Sequence, residues 1–324
     1  MPELPEVQTT VNGLNARITG LTIRDVWTDY NSSFHKGKDS IKDPAYFSHF
    51  KSAVEGARIV RVDRIAKNIL VRIEKDGHRS VILIHMKMTG HIMFGRYEFD
   101  SAAVRDPWKP AADASAALHD PFNRFIHLVF SFEKSDKQLI LSDMRKFAKV
   151  TLITEAEIAE STHLADIGPD PLTKEFTYDV FKTRIMRRPT GRIKNVLMDQ
   201  SVIAGVGNIY SDEALWRAGI HPEEQPKNIP EPLMKKLYPA LIAVLKSGID
   251  FGGDSMSDYR NIDGERGEFQ EHHKVYRKKG LPCAKPGCTG TIIRKVVGGR
   301  SAHFCDTHQK LLIKKSVQKN TRSH

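Results

Sequence analysis

The stretch Met1-Pro2-Glu3-Leu4-Pro5-Glu6-Val7 opens the chain and indicates how its first element begins. Apolar residues then recur at helical spacing as far as Ile18, and Gly20 follows where such a helix would end. Pro5 suits the first turn of a helix, because N–H groups there have no partner within the helix. We therefore predict an N-terminal helix whose positive dipole end lies close to Pro2.

Pro2 can carry chemistry if Met1 is removed, which a small second residue permits. The free amine would be a secondary amine, which forms an iminium directly with an aldehyde carbon. An α-amino group has a pKa of roughly 7.7–8.0, so part of it is unprotonated near neutral pH. Glu3 and Glu6 place carboxylates nearby. The alternative is an ordinary capped helix, since proline and glutamate are common at helix starts.

Composition narrows the class of protein. The 324 residues suffice for two domains and a small module. The formal net charge of +11 fits a polyanionic partner, nucleic acid first, although a basic but unspecific surface would give the same balance. No apolar run approaches the roughly 20 residues of a membrane span, and no signal peptide opens the chain. We expect a cytoplasmic protein without a membrane partner.

A strand-rich region follows the first helix. Short β-branched or aromatic runs predict strands at 57–65, 68–73, 81–88, 126–132, 137–141 and 150–153. Their close spacing favours a β-sandwich or barrel. The stretches 30–44 and 97–121 are polar and lack periodicity, so we predict surface loops there.

A helical region begins after a boundary near 167–172, which is rich in proline and glycine. The apolar pattern predicts helices at 181–186, 193–200, 208–218 and 233–249. Pro239 should kink or restart the last of them.

The segment Ala204-Gly205-Val206-Gly207-Asn208-Ile209 joins two of these helices. Its glycines allow backbone N–H groups to point outward at a helix N-terminus, which suits a phosphate. Asn208 would add a side-chain donor, and Lys194 lies upstream as a cation. A simple turn beside a solvated helix face is the alternative interpretation.

The three cysteines all lie between positions 283 and 305, which suits a metal site better than disulfides. The pattern Cys283-x4-Cys288-x16-Cys305-x2-His308 gives two ligand pairs on either side of a possible β-hairpin. One structural zinc ion would substitute for the core that so short a module cannot build. His303 competes with His308 as the fourth ligand, and three unlinked buried cysteines are the alternative.

In order along the chain, these segments resemble the bacterial formamidopyrimidine-DNA glycosylase and endonuclease VIII family. The resemblance covers nearly the whole chain. It is carried by Met1 to Val7, Arg64-Ile65-Ala66-Lys67, His85-Met86-Lys87-Met88-Thr89-Gly90, Asp143-Met144-Arg145-Lys146-Phe147, Ile167-Gly168-Pro169-Asp170-Pro171-Leu172, Asp199-Gln200, Gly205-Val206-Gly207-Asn208-Ile209-Tyr210, Glu213, Val275-Tyr276, Gly299-Arg300 and the cysteine module.

The resemblance implies an α+β multidomain fold: an N-terminal helix plus β-sandwich, a helix–two-turn–helix domain and a C-terminal β-hairpin zinc finger, with DNA between the domains. We expect the catalytic domain at 1–155, the helix–two-turn–helix domain at 165–253, the zinc finger at 270–310 and a basic tail at 311–324. We also expect a monomer.

The resemblance further implies a bifunctional glycosylase and abasic-site lyase. It would excise oxidised purines such as 8-oxoguanine and formamidopyrimidines from double-stranded DNA, then cut abasic sites by β,δ-elimination. Pro2 would attack C1′ of a flipped nucleotide, and Glu3 would act as general acid and base. Lys67 would sit on the phosphates or donate a proton. Arg300 would hold a phosphate flanking the lesion.

Met88, Arg145 and Phe147 match the family's wedge, the side chains that fill the gap left by the flipped base. Arg145 would face the orphaned cytosine, and it would share one side of an extended segment with Phe147. The alternative is that Met88 and Phe147 are strand-core residues. His127 is what remains of the family's pair of phosphate-contacting histidines.

Departures from the family pattern leave Pro2 and Glu3 untouched. Met86-Lys87 stands where Leu-Gly is usual, Met144 replaces a proline, and the first finger pair is spaced by four residues. These departures leave the preferred lesion and the preferred opposite base undetermined. The alternatives are an endonuclease VIII type for oxidised pyrimidines, a non-catalytic DNA-binding protein and, disfavoured by the long β-rich half, a metalloregulator. The segment 254–267 is a candidate lesion-capping loop.

Overall fold

The computed structural model describes residues 1–103, 105–162, 164–256 and 258–312. The chain forms two compact units. The first comprises Met1–Ile167 and Leu245–His272, and the second comprises Gly168–Val244 and the chain from His273. Most of the basic tail predicted at 311–324 lies outside the described residues, and the four domain ranges expected from the sequence remain predictions.

Seven α-helices are present in the described residues, and five short 3-10 helices accompany them. The α-helices are α1 Leu4–Ile18, α2 Pro44–Val54, α3 Tyr178–Ile185, α4 Ile193–Met198, α5 Asn208–Ala218, α6 Glu231–Asp250 and α7 Phe269–His272. The 3-10 helices are Ser33–His35, Ala116–His119, Pro121–Asn123, Ala156–Ile158 and Pro226–Asn228.

Twelve strands are present in the same residues. They are β1 Ile23–Thr28, β2 Arg58–Ile65, β3 Asn68–Lys75, β4 His78–His85, β5 Gly90–Gly95, β6 Tyr97–Phe99, β7 Trp108–Pro110, β8 Ile126–Phe132, β9 Gln138–Asp143, β10 Lys149–Thr154, β11 Ile292–Val297 and β12 Arg300–Cys305. Two antiparallel four-stranded sheets have the orders β10-β4-β3-β2 and β1-β8-β9-β5.

The first unit is a β-sandwich with α1 packed into its core. Val7, Val11, Leu14 and Ile18 repeat at helical spacing and are at most 3% exposed. They share one apolar cluster with residues from both sheets, such as Ile82 and Leu141 among others. This confirms the predicted N-terminal helix and the β-sandwich. The packing of α1 in the core holds the start of the chain in place.

Most predicted strands are present with small shifts at their ends, but three expectations were wrong. The run 81–88 ends as a strand at His85, because Lys87 adopts a left-handed backbone with φ +57°. The predicted loop 97–121 contains the paired strands β6 and β7. The stretch 30–44 includes a 3-10 turn and the first residue of α2. Short elements without periodicity gave no signal in the sequence.

The strands β1 and β5 and the helix α2 were not predicted. All six residues of β5 are buried, so the strand shows no alternation of apolar and polar side chains. The helix α6 continues through Pro239 as one helix instead of restarting. None of the described helices combines the length and apolar character needed to cross a membrane.

Candidate active site

The start of α1 places Pro2 and Glu3 in a fixed, buried position. Glu3 is the N-cap residue and is 4% exposed. Its backbone N–H donates to Glu6 Oε2 at 2.6 Å, and Glu6 Oε1 accepts from the N–H of Asp254 at 2.9 Å. Glu6 therefore ties the chain's first residues to the segment 254–267. A helix N-terminus carries partial positive charge, which disfavours protonation of an amine beside it.

Lys67 lies in the tight turn between β2 and β3. The turn forms because Ala66 takes a left-handed backbone with φ +53°. Lys67 is 6% exposed, and its charge acts on His85 at the end of β4, the strand that pairs with β3. Lys67 is thus a buried cation at the edge of the sheet that contains His85.

The structure brings the three wedge residues together on the surface. The Arg145 guanidinium donates to Met88 Sδ at 3.3 Å and lies 4.5 Å from the centre of the Phe147 ring. Met88 is 44% exposed and Phe147 46% exposed, which excludes the strand-core alternative for both. The extended backbone predicted for this segment was wrong, because Lys146 has φ +54° and forms a turn.

A buried carboxylate builds this turn. Asp143 is 0% exposed, and its two oxygens accept from the Thr89 hydroxyl and from the N–H of Ala148. The Thr89 hydroxyl oxygen in turn accepts the N–H of Arg145 at 3.1 Å. Hydrogen bonds to a buried carboxylate are strong and costly to break. Asp143 therefore links the turn carrying Met88 to the turn carrying Arg145.

A second polar cluster, formed by Asp29, Lys42 and His127, contacts the turn that carries Arg145 through Lys146. Lys42 donates to the backbone carbonyl of Lys146 at 2.5 Å, and the Lys146 ammonium pairs with Asp29 at 2.9 Å. Burial alone would raise the pKa of Asp29, but hydrogen bonds from His127 and Lys146 hold it below its ordinary value. Tyr30 packs against this cluster.

His127 belongs to that cluster, and its expected contact with DNA stays a prediction. It is 5% exposed, and its Nδ1 lies 2.9 Å from Asp29 Oδ1. The side chain therefore forms a hydrogen bond with the Asp29 carboxylate of the same unit.

In the second unit, the glycine turn leads directly into α5 as predicted. Gly205 adopts φ +81°, and Gly207 is the N-cap residue of the helix. The Asn208 amide donates to the Tyr276 hydroxyl at 3.4 Å. Asn208 and Tyr276 thus stand side by side at the N-terminus of α5, where backbone N–H groups favour an anion.

Lys194 does not have the position expected of a phosphate-binding surface cation. It is 0% exposed and forms a buried ion pair with Asp212, and it also donates to the carbonyl of Asn208 at 3.3 Å. The lysine lies under the start of α5 and supports Asn208 from within the fold.

The cysteine module forms a candidate metal centre. One ligand atom from each of Cys283, Cys288, Cys305 and His308 falls within 4.8 Å of the others. Cys288 Sγ lies 3.6 Å from Cys305 Sγ, and Cys283 Sγ lies 3.5 Å from His308 Nδ1. Tetrahedral ligands about 2.0–2.3 Å from a zinc ion are separated by similar distances.

The surroundings of the sulfur atoms fit a metal-bound thiolate set. The N–H groups of Trp216, Gly290 and Thr307 donate to the sulfurs of Cys283, Cys288 and Cys305 at 3.3–3.4 Å. His308 Nε2 lies 3.2 Å from the Trp216 carbonyl, which leaves Nδ1 to face the cluster. The described residues thus support a site for one metal ion.

The competing ligand His303 points elsewhere. Its Nδ1 lies 3.2 Å from Asp212 Oδ2, and its backbone N–H donates to the same oxygen at 2.9 Å. The Cys3His alternative with His308 is therefore the one that the structure supports.

The β11–β12 hairpin places Arg300 at its tip. Gly298 and Gly299 both have positive φ, which a tight two-residue hairpin turn requires. Arg300 pairs with Val297 in the first position after this turn and is exposed. Tip and metal cluster lie at opposite ends of the same two strands.

Sequence reasoning assigned no role to four residues that the structure places in these sites: Lys42, His85, Asp143 and Tyr276. The last three stand in segments that carried the family resemblance, so a signal was present. Lys42 had none, because its contact with Lys146 joins positions 104 apart in sequence.

Comparisons with known proteins agree with this geometry. The sequence profile of the formamidopyrimidine-DNA glycosylase N-terminal domain matches residues 1–150, and that of the family's H2TH domain matches residues 167–260. A formamidopyrimidine-DNA glycosylase of Heliobacterium modesticaldum is 35% identical over 310 residues, covering 96% of this chain and 100% of the relative. The Bacillus subtilis protein of that name is 34% identical and covers 94% and 98%.

Solved structures give the same result. The Lactococcus lactis Fpg in complex with DNA containing an abasic site matches with a TM-score of 0.76 and 30% identity, covering 95% of this chain and 99% of that one. A structure of MutM in complex with DNA containing carbocyclic 8-oxo-G matches with a TM-score of 0.75 and 30% identity, covering 95% and 100%.

The fold and the site are those of a DNA-repair glycosylase. The chain belongs to the formamidopyrimidine-DNA glycosylase family.

Proposed function

We propose that this protein is a bifunctional DNA glycosylase and abasic-site lyase that removes oxidised purines from double-stranded DNA. The observation that carries the proposal is the fixed start of α1, where Pro2 directly precedes the buried N-cap residue Glu3. Removal of Met1 would give Pro2 a free secondary amine at the positive end of that helix. A repair enzyme of this kind would act as a monomer in the bacterial cytoplasm, where the chromosome lies.

In this mechanism the damaged nucleotide leaves the base stack, since its C1′ atom is otherwise out of reach. Pro2 N forms a bond to C1′ as the bond from C1′ to the base breaks, which divides a difficult step into two easier ones. Glu3 transfers the proton needed to open the sugar ring. The resulting iminium acidifies the C2′ protons, and loss of one of them to a base breaks the bond to the 3′ phosphate, which leaves with its electron pair.

Several cations would hold the DNA backbone during this reaction. Lys67 would contact phosphates or donate a proton, and Arg300 would hold a phosphate beside the lesion. Asn208 and the adjacent N–H groups of α5 would bind a further phosphate, with Tyr276 positioning the amide. Lys194 and His127 are assigned supporting roles instead, because both side chains are buried against carboxylates.

The wedge proposal assigns Arg145, Met88 and Phe147 to the gap left by the flipped base. Their mutual contacts and exposure support it, since apolar groups inserted at a kinked step can offset the few kcal/mol of unstacking.

We propose zinc as the metal of the Cys3His cluster, with a structural role. The segment 254–267 would cap the flipped base, and its anchor at Glu6 places it beside the start of α1.

The test is borohydride trapping on a duplex that carries 8-oxoguanine opposite cytosine. We expect a covalent adduct with the parent protein and its loss in Pro2→Gly. Glu3→Gln should trap far more weakly, because the proton donor is missing. Pro5→Ala is the matched control: it changes the second proline of the same segment but leaves the amine intact, so trapping should persist.

The outcomes separate the alternatives. Intact duplex binding without any adduct would support the non-catalytic DNA-binding interpretation and reject ours. Adducts with thymine glycol or dihydrouracil, and none with 8-oxoguanine or formamidopyrimidine, would identify the endonuclease VIII type.

A further inference from the structure

The segment 254–267, called the capping segment below, is attached to residues 116–123 of the same unit, called the anchor segment. The Asn123 side chain makes the central contact. Its Nδ2 donates to the carbonyl of Gly264 at 3.2 Å and to the carbonyl of Ala117 at 2.8 Å. Asn123 is 2% exposed, so both carbonyls would lose a buried partner if the amide were removed.

The oxygen of the same amide is fixed by His91 on β5. His91 is 1% exposed, and its Nε2 lies 2.9 Å from Asn123 Oδ1. Burial lowers the pKa of His91 to about 4, so the ring is neutral near pH 7 and donates its Nε2 hydrogen to this oxygen. Both ends of the Asn123 amide thus have buried partners, which fixes its orientation.

Gly264 brings the two segments as close together as their backbones allow. It has a positive φ of +83°, which favours glycine. A Cβ atom at this position would lie 3.0 Å from both Asn123 Nδ2 and the Ala117 oxygen, and 2.9 Å from Leu118 Cδ2. A side chain at position 264 would therefore push the capping segment away from the anchor segment.

Two further contacts hold the same part of the capping segment. Arg260 is 2% exposed, and its Nη2 lies 3.2 Å from Asp120 Oδ2. The carbonyl of Ile262 accepts the N–H of Phe94 on β5 at 2.8 Å. Residues 260–264 are therefore attached at three points, and Asn123 is the contact that joins the anchor segment to both β5 and Gly264.

The attached part lies next to the start of α1. The Tyr259 hydroxyl donates to the carbonyl of Glu6 at 3.1 Å, and the N–H of Asp254 donates to Glu6 Oε1. The other carboxylate oxygen of Glu6 accepts the N–H of Glu3. A shift of residues 259–264 would therefore change the distance between the capping segment and the first residues of the chain.

We propose that Asn123 is a positioning residue for base excision, because it holds the capping segment at the distance from Pro2 that a flipped base requires. The proposal rests on the proposed function, since it takes 254–267 as the segment that covers the flipped base. Asn123 lies outside every segment that carried the family resemblance. An abasic nucleotide has no base to cover, so a loosened anchor should slow excision but spare the cutting of abasic sites.

The first experiment compares single-turnover rates of the full-length parent and Asn123→Ala on two duplexes. One carries 8-oxoguanine opposite cytosine, and the other carries a pre-formed abasic site. We expect excision to fall at least about 10-fold and abasic cutting to change less than about 2-fold, since a misplacement of about 1 Å can cost about 100-fold in rate. Asn123→Asp keeps an oxygen toward His91 but loses both N–H donors, so it should also slow excision.

The matched control is His119→Ala, which removes an exposed side chain of the anchor segment and should leave both rates unchanged. Equal losses on the two duplexes in Asn123→Ala would mean that Asn123 only stabilises the fold. Unchanged rates on both would mean that the capping segment needs no such anchor. Either result would overturn the proposal.

The second experiment tests the anchor without DNA, by hydrogen exchange and mass spectrometry. Peptides that cover 259–267 should exchange faster in Asn123→Ala than in the parent, whereas peptides from α1 should keep the parent's rates. Equal exchange at 259–267 would overturn the proposal.

A third experiment breaks the same contact from the other side. Gly264→Ala should slow excision, and the double variant Asn123→Ala/Gly264→Ala should be no slower than the slower single variant, because both changes remove one contact. Losses that multiply in the double variant would show independent effects and would reject the anchor.

Borohydride trapping on the same samples tests the proposed function separately. A parent that gives neither adduct nor excision would reject the glycosylase mechanism and this proposal with it. Normal trapping and excision in the parent, with equal rates in Asn123→Ala, would reject only the role of Asn123.

Discussion

The wedge turn of the first unit and the hairpin of the second present exposed arginines by different means. Arg145 sits on a turn held by the buried carboxylate of Asp143, above a large sandwich core. Arg300 sits at the tip of a two-stranded hairpin with a small apolar cluster, where the Cys3His set supplies the fixed point. A large core can hold a turn with hydrogen bonds alone, whereas a small module needs a metal.

The largest effect should follow loss of the metal. His308→Ala removes a ligand, and we expect metal content to fall from one ion per chain to none and DNA cleavage to fall at least about 100-fold, because metal binding supplies folding free energy to such modules. Metal analysis and strand-cleavage rates measure this. His303→Ala is the matched control, since that histidine bonds Asp212 instead. Equal metal loss in both variants would contradict the ligand assignment.

The wedge turn should respond to its carboxylate. Asp143→Asn replaces one of the two acceptor oxygens by an amide donor, so either the Thr89 hydroxyl or the Ala148 N–H loses its partner. We expect the free energy of unfolding to fall by roughly 1–3 kcal/mol. Urea unfolding measures it. Asp136→Asn changes an exposed carboxylate at the other end of β9 and should cost less than about 0.5 kcal/mol. A similar loss in both would mean that Asp143 does not hold the turn.

A smaller effect is expected for the support beneath the turn. Lys42→Met removes the hydrogen bond to the Lys146 carbonyl but keeps the apolar stem, so the loss of stability should be about 1 kcal/mol. Because Lys146 lies between Arg145 and Phe147, discrimination between cytosine and adenine opposite the lesion should also weaken. Comparing excision rates on the two duplexes measures this. Lys38→Met, a change in an exposed lysine of the same loop, should leave the ratio unchanged, and an unchanged ratio in Lys42→Met would refute the link.

The smallest effect is expected in the pH dependence of the stability that Asp29 contributes. The pKa of Asp29 is lower in the folded protein than its ordinary value near 3.8, so its contribution is fully present above that value and is lost as the pH falls through the folded pKa. The stability difference between the parent and Asp29→Asn should therefore shrink as the pH falls below about 4. Unfolding curves at several pH values between about 5 and 2 test this. A difference that grew in that range would contradict the assigned direction.

Much of the site could be predicted because the residues proposed to carry its chemistry stand in short, continuous segments of the sequence. The Pro2-Glu3 start, the glycine turn before Asn208 and the cysteine spacing each combine residue types that few other structures need together. The burial of His127 and Lys194 could not be predicted, for the opposite reason. A histidine or lysine in an alternating or helical pattern has the same sequence signature whether it faces solvent or a buried carboxylate, and only its partners, Asp29 and Asp212, decide.

Local patterns in the sequence were enough to predict the order of a β-rich and a helical region, the helix behind Pro2 and a metal module built on the three cysteines, whereas the choice of His308 over His303 needed the structure. These follow from local periodicity and from ligand spacing, which act over a few residues. The contact of Met88 with Arg145 and the support of Lys146 by Lys42 arise only from the folding of the whole unit. Those contacts join distant positions, and they depend on strand register and on left-handed turns that no local pattern specifies.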